Sequence, residues 1–192
     1  KHKNTNFIDG ECVQNTAEIA LNSFNVSIDA LKKNKIDALV TLPVNKKTIS
    51  TIDKLFTGHT EHLTTKVNSE NSLMLLVSET MKVATVTNHV PISKVSTVLT
   101  RDLLIKKIDI LIKSLSLDFS IISPRIAVLG LNPHAGDDGL LGSEEKTVLQ
   151  PVIKEYRLAG YNVFGPFAAD GFFGSKKYKN FDAVLGMYHD QS

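Results

Sequence analysis

The chain has no tryptophan and a single cysteine, Cys12. One thiol cannot close an intrachain disulfide, so packing alone must hold the fold and a reducing compartment suits it. Cys12 is read as a quiet side chain, not a nucleophile. Arginine is scarce: Arg101, Arg125 and Arg157 are the only three among 22 basic residues, and no arginine–aromatic interleaving occurs. With a net charge of +2, this excludes the basic footprint of a nucleic-acid binder. The lysines, spread along helical segments, read as a solvated face. No apolar run reaches the roughly 18 residues of a membrane span, and the opening KHKNTNFIDG holds no apolar signal core. The expectation is a cytoplasmic protein with neither nucleic acid nor membrane as partner.

Several catalytic signatures are also missing. There is no G-x-S-x-G elbow, which argues against a serine hydrolase. There is no H-E-x-x-H, which removes the common zinc peptidases, and neither the Walker nor the G-x-G-x-x-G nucleotide fingerprint occurs. The loop Gly136-Asp137-Asp138-Gly139-Leu140-Leu141-Gly142 lacks the Walker lysine, and its two aspartates would repel a phosphate. It reads as a flexible rim over a site.

What the chain does contain is an alternation of helix and strand over 192 residues, enough for one domain or two lobes sharing a sheet. An amphipathic helix is predicted from Asn15 to Lys33, then a buried strand over Ile36–Val44 and a short helix over Asn45–Leu55. Thr60 is the expected cap of a helix from Glu61 to Val67. Leu73–Val77 and Val83–Thr87 form a hairpin, and Pro91 and Ile92 start the next helix. Thr100 caps the strongly periodic RDLLIKKIDILIKSL. Arg125–Leu131, Tyr161–Pro166 and Asp182–Tyr188 are strands, with a helix from Ser143 to Leu158 that Pro151 kinks.

Four histidines sit where apolar runs end: His59, His89, His134 and His189, spaced by 30, 45 and 55 residues. Those intervals are far too wide for a zinc finger. The last three follow runs that read as buried parallel strands, and open α/β sheets bind ligands at the carboxyl ends of such strands. Three imidazoles with an open position are the pattern of a catalytic divalent site; three unrelated loop histidines are the alternative, and the pattern alone leaves both open. His59 and His62, three apart, could form a metal pair on one helix face. The preferred reading is that His59 and Thr60 join a helix N-terminus in binding an anion, with His62 exposed. Asp170 and Asp190, near strand ends, could orient a histidine, join a metal or move a proton; capping is the plainer role. Asn45 and Lys46 follow a predicted strand, where the lysine could meet an acidic substrate or simply be solvated.

The segments LPVNK, FTGHTEHL, TNHVP, GLNPHAGDDGLLGSEE, GPFAAD and AVLGMYHDQ, in this order, resemble the 4-hydroxythreonine-4-phosphate dehydrogenase family of pyridoxal phosphate biosynthesis from about residue 10 onward. The resemblance implies a two-lobed α/β/α fold like that of isocitrate and isopropylmalate dehydrogenases, using NAD or NADP without the Rossmann fingerprint. It implies a divalent metal (zinc, magnesium or cobalt) on His89, His134 and His189. It also implies a phosphorylated small-molecule substrate at His59 and Thr60, and a homodimer that shares its active site. Asp170 and Asp190 are then the catalytic candidates. Family members continue beyond YHDQ, where glycine usually follows in place of Ser192. Residues 1–192 are accordingly expected to be one continuous α/β unit from the middle of a longer chain, with cofactor residues unassigned. A metal-dependent hydrolase or lyase, a related hydroxy-acid dehydrogenase and a non-catalytic ligand binder are the competing readings.

Overall fold

The structure, a computed structural model, describes residues 14–56, 58–69 and 72–191; Cys12 lies outside them. The chain divides into two units, residues 1–72 and 73–192, where the sequence reading takes a single one. The division falls beside the polar NSENS stretch of the sequence.

In the first unit, α1 spans Gln14–Lys32, α2 Lys46–Ser50 and α3 His59–Lys66. Ala17, Phe24 and Ile28 recur along one face of α1 and pack with Ile49 and Phe56. The Asn45 side chain accepts the Thr48 N–H at 3.0 Å and so caps α2, which gives that residue a local structural role. Two expectations fail here. The run Ile36–Val44 is not a strand: Val40 and Leu42 are 91% and 80% exposed. A strand forms only where a neighbour completes its ladder, and no described segment pairs with this one. Thr60 is not a cap either, because α3 begins at His59 with Gly58 ahead of it.

The second unit is a five-stranded sheet in the order β1-β2-β5-β3-β4. The strands are β1 Met74–Val77, β2 Lys82–Thr85, β3 Ile126–Leu129, β4 Val163–Phe167 and β5 Ala183–Gly186. The expected hairpin β1–β2 is antiparallel, and β2, β5, β3 and β4 run parallel. Side-chain alternation sorts the sheet into two faces. Ala84, Val128 and Leu185 face one core, and Val83, Ala127, Leu129 and Val184 the other.

The first face is covered by α5 (Arg101–Leu117), whose Leu104, Ile108, Leu111 and Leu115 are fully buried, and by α6 (Gln150–Leu158). Thr100 caps α5 as expected, accepting the Leu103 N–H at 3.2 Å. Tyr156 of α6 donates its hydroxyl to Asp109 at 2.5 Å, and burial followed by that carboxylate pushes its pKa up. The second face carries α7 (Ala169–Gly174) through Phe172. A shorter α4, Ile92–Val98, precedes α5. Pro151, expected to kink a helix, lies in the first turn of α6, and a wider π turn over Glu145–Leu149 precedes it. That geometry spares a hydrogen bond that proline has no N–H to make. Lys107 is an exception to the solvated-face reading, since it is buried on α5 and burial lowers its pKa. No described helix is long and apolar enough to cross a membrane.

Candidate functional site

His89, His134 and His189 follow β2, β3 and β5, which are three adjacent parallel strands. All three imidazole-bearing residues are exposed. The ends of β2 and β5 are clamped together: Val86 N–H donates to Gly186 O at 2.9 Å, Thr87 N–H to Met187 O at 3.1 Å, and the Thr87 hydroxyl to the same carbonyl at 2.8 Å. Beyond that clamp the rings of His89 and His189 stack with centroids 6.3 Å apart. His189 Nδ1 lies 2.8 Å from Asp190 Oδ1. An ionised carboxylate there can only accept, so the contact favours the tautomer with its proton on Nδ1 and a lone pair on Nε2.

His134 lines a cleft of about 510 Å³ with Asp170, Asp190, Tyr188 and Phe173. The structure thus gathers both predicted aspartates around His134 and pairs His89 with His189. Among the described residues no group of three or more histidine, cysteine, aspartate or glutamate side chains lies close enough to hold a metal ion.

The loop expected to be a flexible rim is a defined turn. His134, Ala135, Gly136, Asp137 and Asp138 all have left-handed backbone angles, with φ between 42° and 84°. For each non-glycine residue that conformation costs roughly 1–2 kcal/mol. Internal bonds hold it: Ala135 N–H to Asn132 O, Leu140 N–H to Asp137 O and Leu141 N–H to Gly136 O, each at 3.1 Å. Lys146 Nζ pairs with Asp138 at 2.7 Å and keeps that carboxyl below its usual range.

Three residues that tie the strand ends escaped the sequence reading, two beyond the strands and one in the π turn. Gln191 accepts the Met187 N–H at 2.7 Å and donates to Gly130 O at 2.5 Å, tying the ends of β5 and β3 together. Asn132 and the buried Glu145 are bonded to each other. Only the position of Gln191 beside His189 and Asp190 could have flagged it; Asn132 and Glu145 carry no periodic signal.

In the first unit His59 opens α3, and its ring meets the edges of Phe24 and Phe56 at 5.2 and 6.0 Å. It also lines a groove of about 410 Å³ between α1 and residues 39–44. Thr60 sits in the same first turn, whose N–H groups are not used within the helix. His62, expected to be exposed, is buried, with Nε2 2.9 Å from Asn25 Oδ1 and Nδ1 3.9 Å from Asp53. Nε2 is thereby committed to a structural bond, against the proposed metal pair with His59. Burial, then the Lys66 charge, lowers the His62 pKa, Asp53 opposing and His59 adding a little.

A lowered folded pKa means that this contribution to stability is complete above the unfolded value near 6.5 and is lost as pH falls through the folded value. The protection factors of the α3 amides, taken relative to the intrinsic exchange rate at each pH, are therefore expected to fall below pH ~6.5, and His62→Gln is expected to remove that pH dependence. Equal acid sensitivity in wild type and variant would contradict the assignment.

The sheet and its helices define the class, a mixed α/β protein, with histidines and carboxylates gathered at the carboxyl ends of its parallel strands, where such sheets commonly bind ligands. The family model for the pyridoxal phosphate biosynthetic protein PdxA matches residues 2–192, and the chain belongs to that family. A 4-hydroxythreonine-4-phosphate dehydrogenase from Bacteroides thetaiotaomicron is 45% identical over 173 residues, covering 90% of this chain and 48% of that protein. One from Colwellia psychrerythraea is 40% identical, covering 94% and 57% respectively. The solved structure of 4-hydroxythreonine-4-phosphate dehydrogenase from Klebsiella pneumoniae superimposes with a TM-score of 0.85 at 29% identity, over 96% of this chain and 56% of that one. The chain spans about half the length of the curated relatives it matches.

Proposed function

We propose that the protein is a metal-dependent dehydrogenase that oxidises the C3 hydroxyl of 4-phosphohydroxy-L-threonine with NAD or NADP. The observation that carries the proposal is the alignment of His89, His134 and His189 at the ends of three adjacent parallel strands, in a chain whose relatives bear that activity's name. The donor set fits a divalent ion: all three imidazoles are exposed and two of them are stacked, and imidazole suits zinc. His89, His134 and His189 would hold the ion, with the set completed across a homodimer.

A divalent ion supplies a Lewis acid for the substrate's hydroxyl oxygen, and nicotinamide supplies the hydride acceptor. The chain's own residues do the rest. His59, Thr60 and the first-turn amides of α3 bind an anionic group of the substrate. Asp190 orients His189. Asp170 would accept the hydroxyl proton as the C3 hydroxyl is oxidised, the nicotinamide being the group that would supply the hydride acceptor. The resulting β-keto acid loses carbon dioxide, a proton replaces the carboxyl group on the former α-carbon, and 3-amino-2-oxopropyl phosphate is released.

The test is reduction of NAD+ or NADP+ by the full-length protein with 4-phosphohydroxy-L-threonine, followed by absorbance of the reduced nicotinamide. Substrate- and metal-dependent absorbance is the expected result. Turnover of the substrate without any reduced nicotinamide would replace the reading with a hydrolase or lyase. Asp170→Asn is expected to lower kcat by about 10²–10⁴-fold with a smaller effect on KM, measured in the same assay.

A further inference from the structure

We propose that Glu145 is the positioning residue for His134: its buried carboxylate, acting through Asn132, holds the left-handed turn that presents that imidazole. The geometry stands by itself, and its consequence for metal binding rests on the proposed role of His134.

Glu145 is 1% exposed, and a buried carboxylate is retained only where its oxygens are satisfied. Two hydrogen bonds reach its carboxylate from the residue at the mouth of the turn. Oε1 accepts the Asn132 backbone N–H at 2.7 Å and Oε2 accepts the Asn132 side-chain amide at 2.9 Å. The same amide donates to Glu144 at 2.9 Å. The Glu144 carboxyl is held below its usual range, chiefly by its own backbone N–H and then by Asn132. Asn132 is therefore gripped at backbone and side chain, two residues before His134.

The surrounding glycines are shaped to this grip. A Cβ at Gly136 would lie 2.6 Å from Glu145 Oε2, one at Gly130 would lie 3.2 Å from Oε1, and one at Gly142 would lie 2.3 Å from the Asn132 amide. Any side chain at Gly136 or Gly142 would displace the carboxylate or the amide. The turn beyond Asn132 then runs through five left-handed residues, four of which carry side chains that disfavour the conformation. A strained segment persists only when its surroundings over-determine it, and Glu145 is the buried group that does so here. An apolar residue of the same size would fill the space but could not hold Asn132.

The test uses the full-length protein with isotope-labelled histidine. The His134 imidazole signal is identified by its disappearance in His134→Ala, and zinc affinity is measured by chelator competition. Glu145→Gln keeps the side-chain volume and an acceptor for the Asn132 N–H, but turns an NH2 group toward the Asn132 amide. It is expected to shift or broaden the zinc-free His134 signal, to leave the His89 and His189 signals in place, and to weaken zinc binding by about 10–100-fold. Asn132→Ala, which keeps the backbone bond and loses the side-chain one, is expected to act in the same direction and covers the case in which Glu145→Gln fails to fold.

Adding Ala135→Gly to Glu145→Gln relieves one left-handed residue without restoring any bond to Glu145. It is expected to bring back the His134 signal and several-fold of the lost affinity. An unmoved His134 signal in Glu145→Gln and Asn132→Ala would overturn the proposal. So would a lost signal that Ala135→Gly does not restore, since that marks general destabilisation. If wild type and His134→Ala bind zinc alike, the metal reading fails, and the zinc-free His134 signal still decides the positioning role.

Discussion

His189→Ala is expected to reduce kcat/KM of the full-length protein by more than ~100-fold while leaving the sheet intact. The loss of a residue that merely orients a metal ligand already costs about 10–100-fold, and a ligand itself is worth more. The fold is spared because His189 is exposed beyond the end of β5 and contributes nothing to either core. The neighbouring bonds of Gln191 to Met187 and Gly130 persist without the imidazole. Steady-state kinetics alongside thermal melting checks both halves. Activity within a few-fold of wild type would remove His189 from the site, and a collapsed melting transition would make its role structural.

The largest expected effect on stability lies at Gly165 in β4. Its φ is 136°, outside the range of ordinary L-residues, and a Cβ there would sit 2.3 Å from the Val128 carbonyl oxygen. That oxygen belongs to the backbone of β3, which is buried throughout, so it cannot swing aside as a flexible side chain would. Gly165→Ala combines overpacking with a forbidden backbone conformation and is expected to cost about 3 kcal/mol or more. Urea denaturation of purified wild type and variant measures it. A midpoint unchanged within error would mean that β3 and β4 part more readily than their paired register implies.

The sheet and its helices were largely legible because each carries a local signal. Thr100 ahead of the Leu104, Ile108, Leu111 and Leu115 face marks α5 by cap and period together. The all-apolar runs of β3 and β5 mark strands buried on both faces, and both are buried at every position. The mixed α/β architecture and the placement of three histidines at strand ends followed from those patterns.

Most of the failures have a different origin: the information lies in partners distant in sequence. Ile36–Val44 has the composition of a strand but no described neighbour to pair with. Gly58 and Thr60 both suit a helix N-terminus, and only the backbone path decides that α3 starts one residue before the threonine. His62 reads as exposed because its companions, Asn25 and Asp53, are 37 and nine residues away. Its burial beside Phe24 and Phe56 is a property of the packed unit. Glu145 looks like a first-turn acid that favours a helix N-terminus. Its grip on Asn132, 13 residues back, emerges only when the strand end and the following helix fold against each other.

The central claim is that the three strand-end histidines hold one divalent ion. The most direct test is metal content per subunit of the full-length protein, for wild type and for His134→Ala, after dialysis against trace zinc and magnesium. The account predicts near-stoichiometric metal in wild type and its loss in the variant. Equal metal in both, or none in wild type, would contradict it.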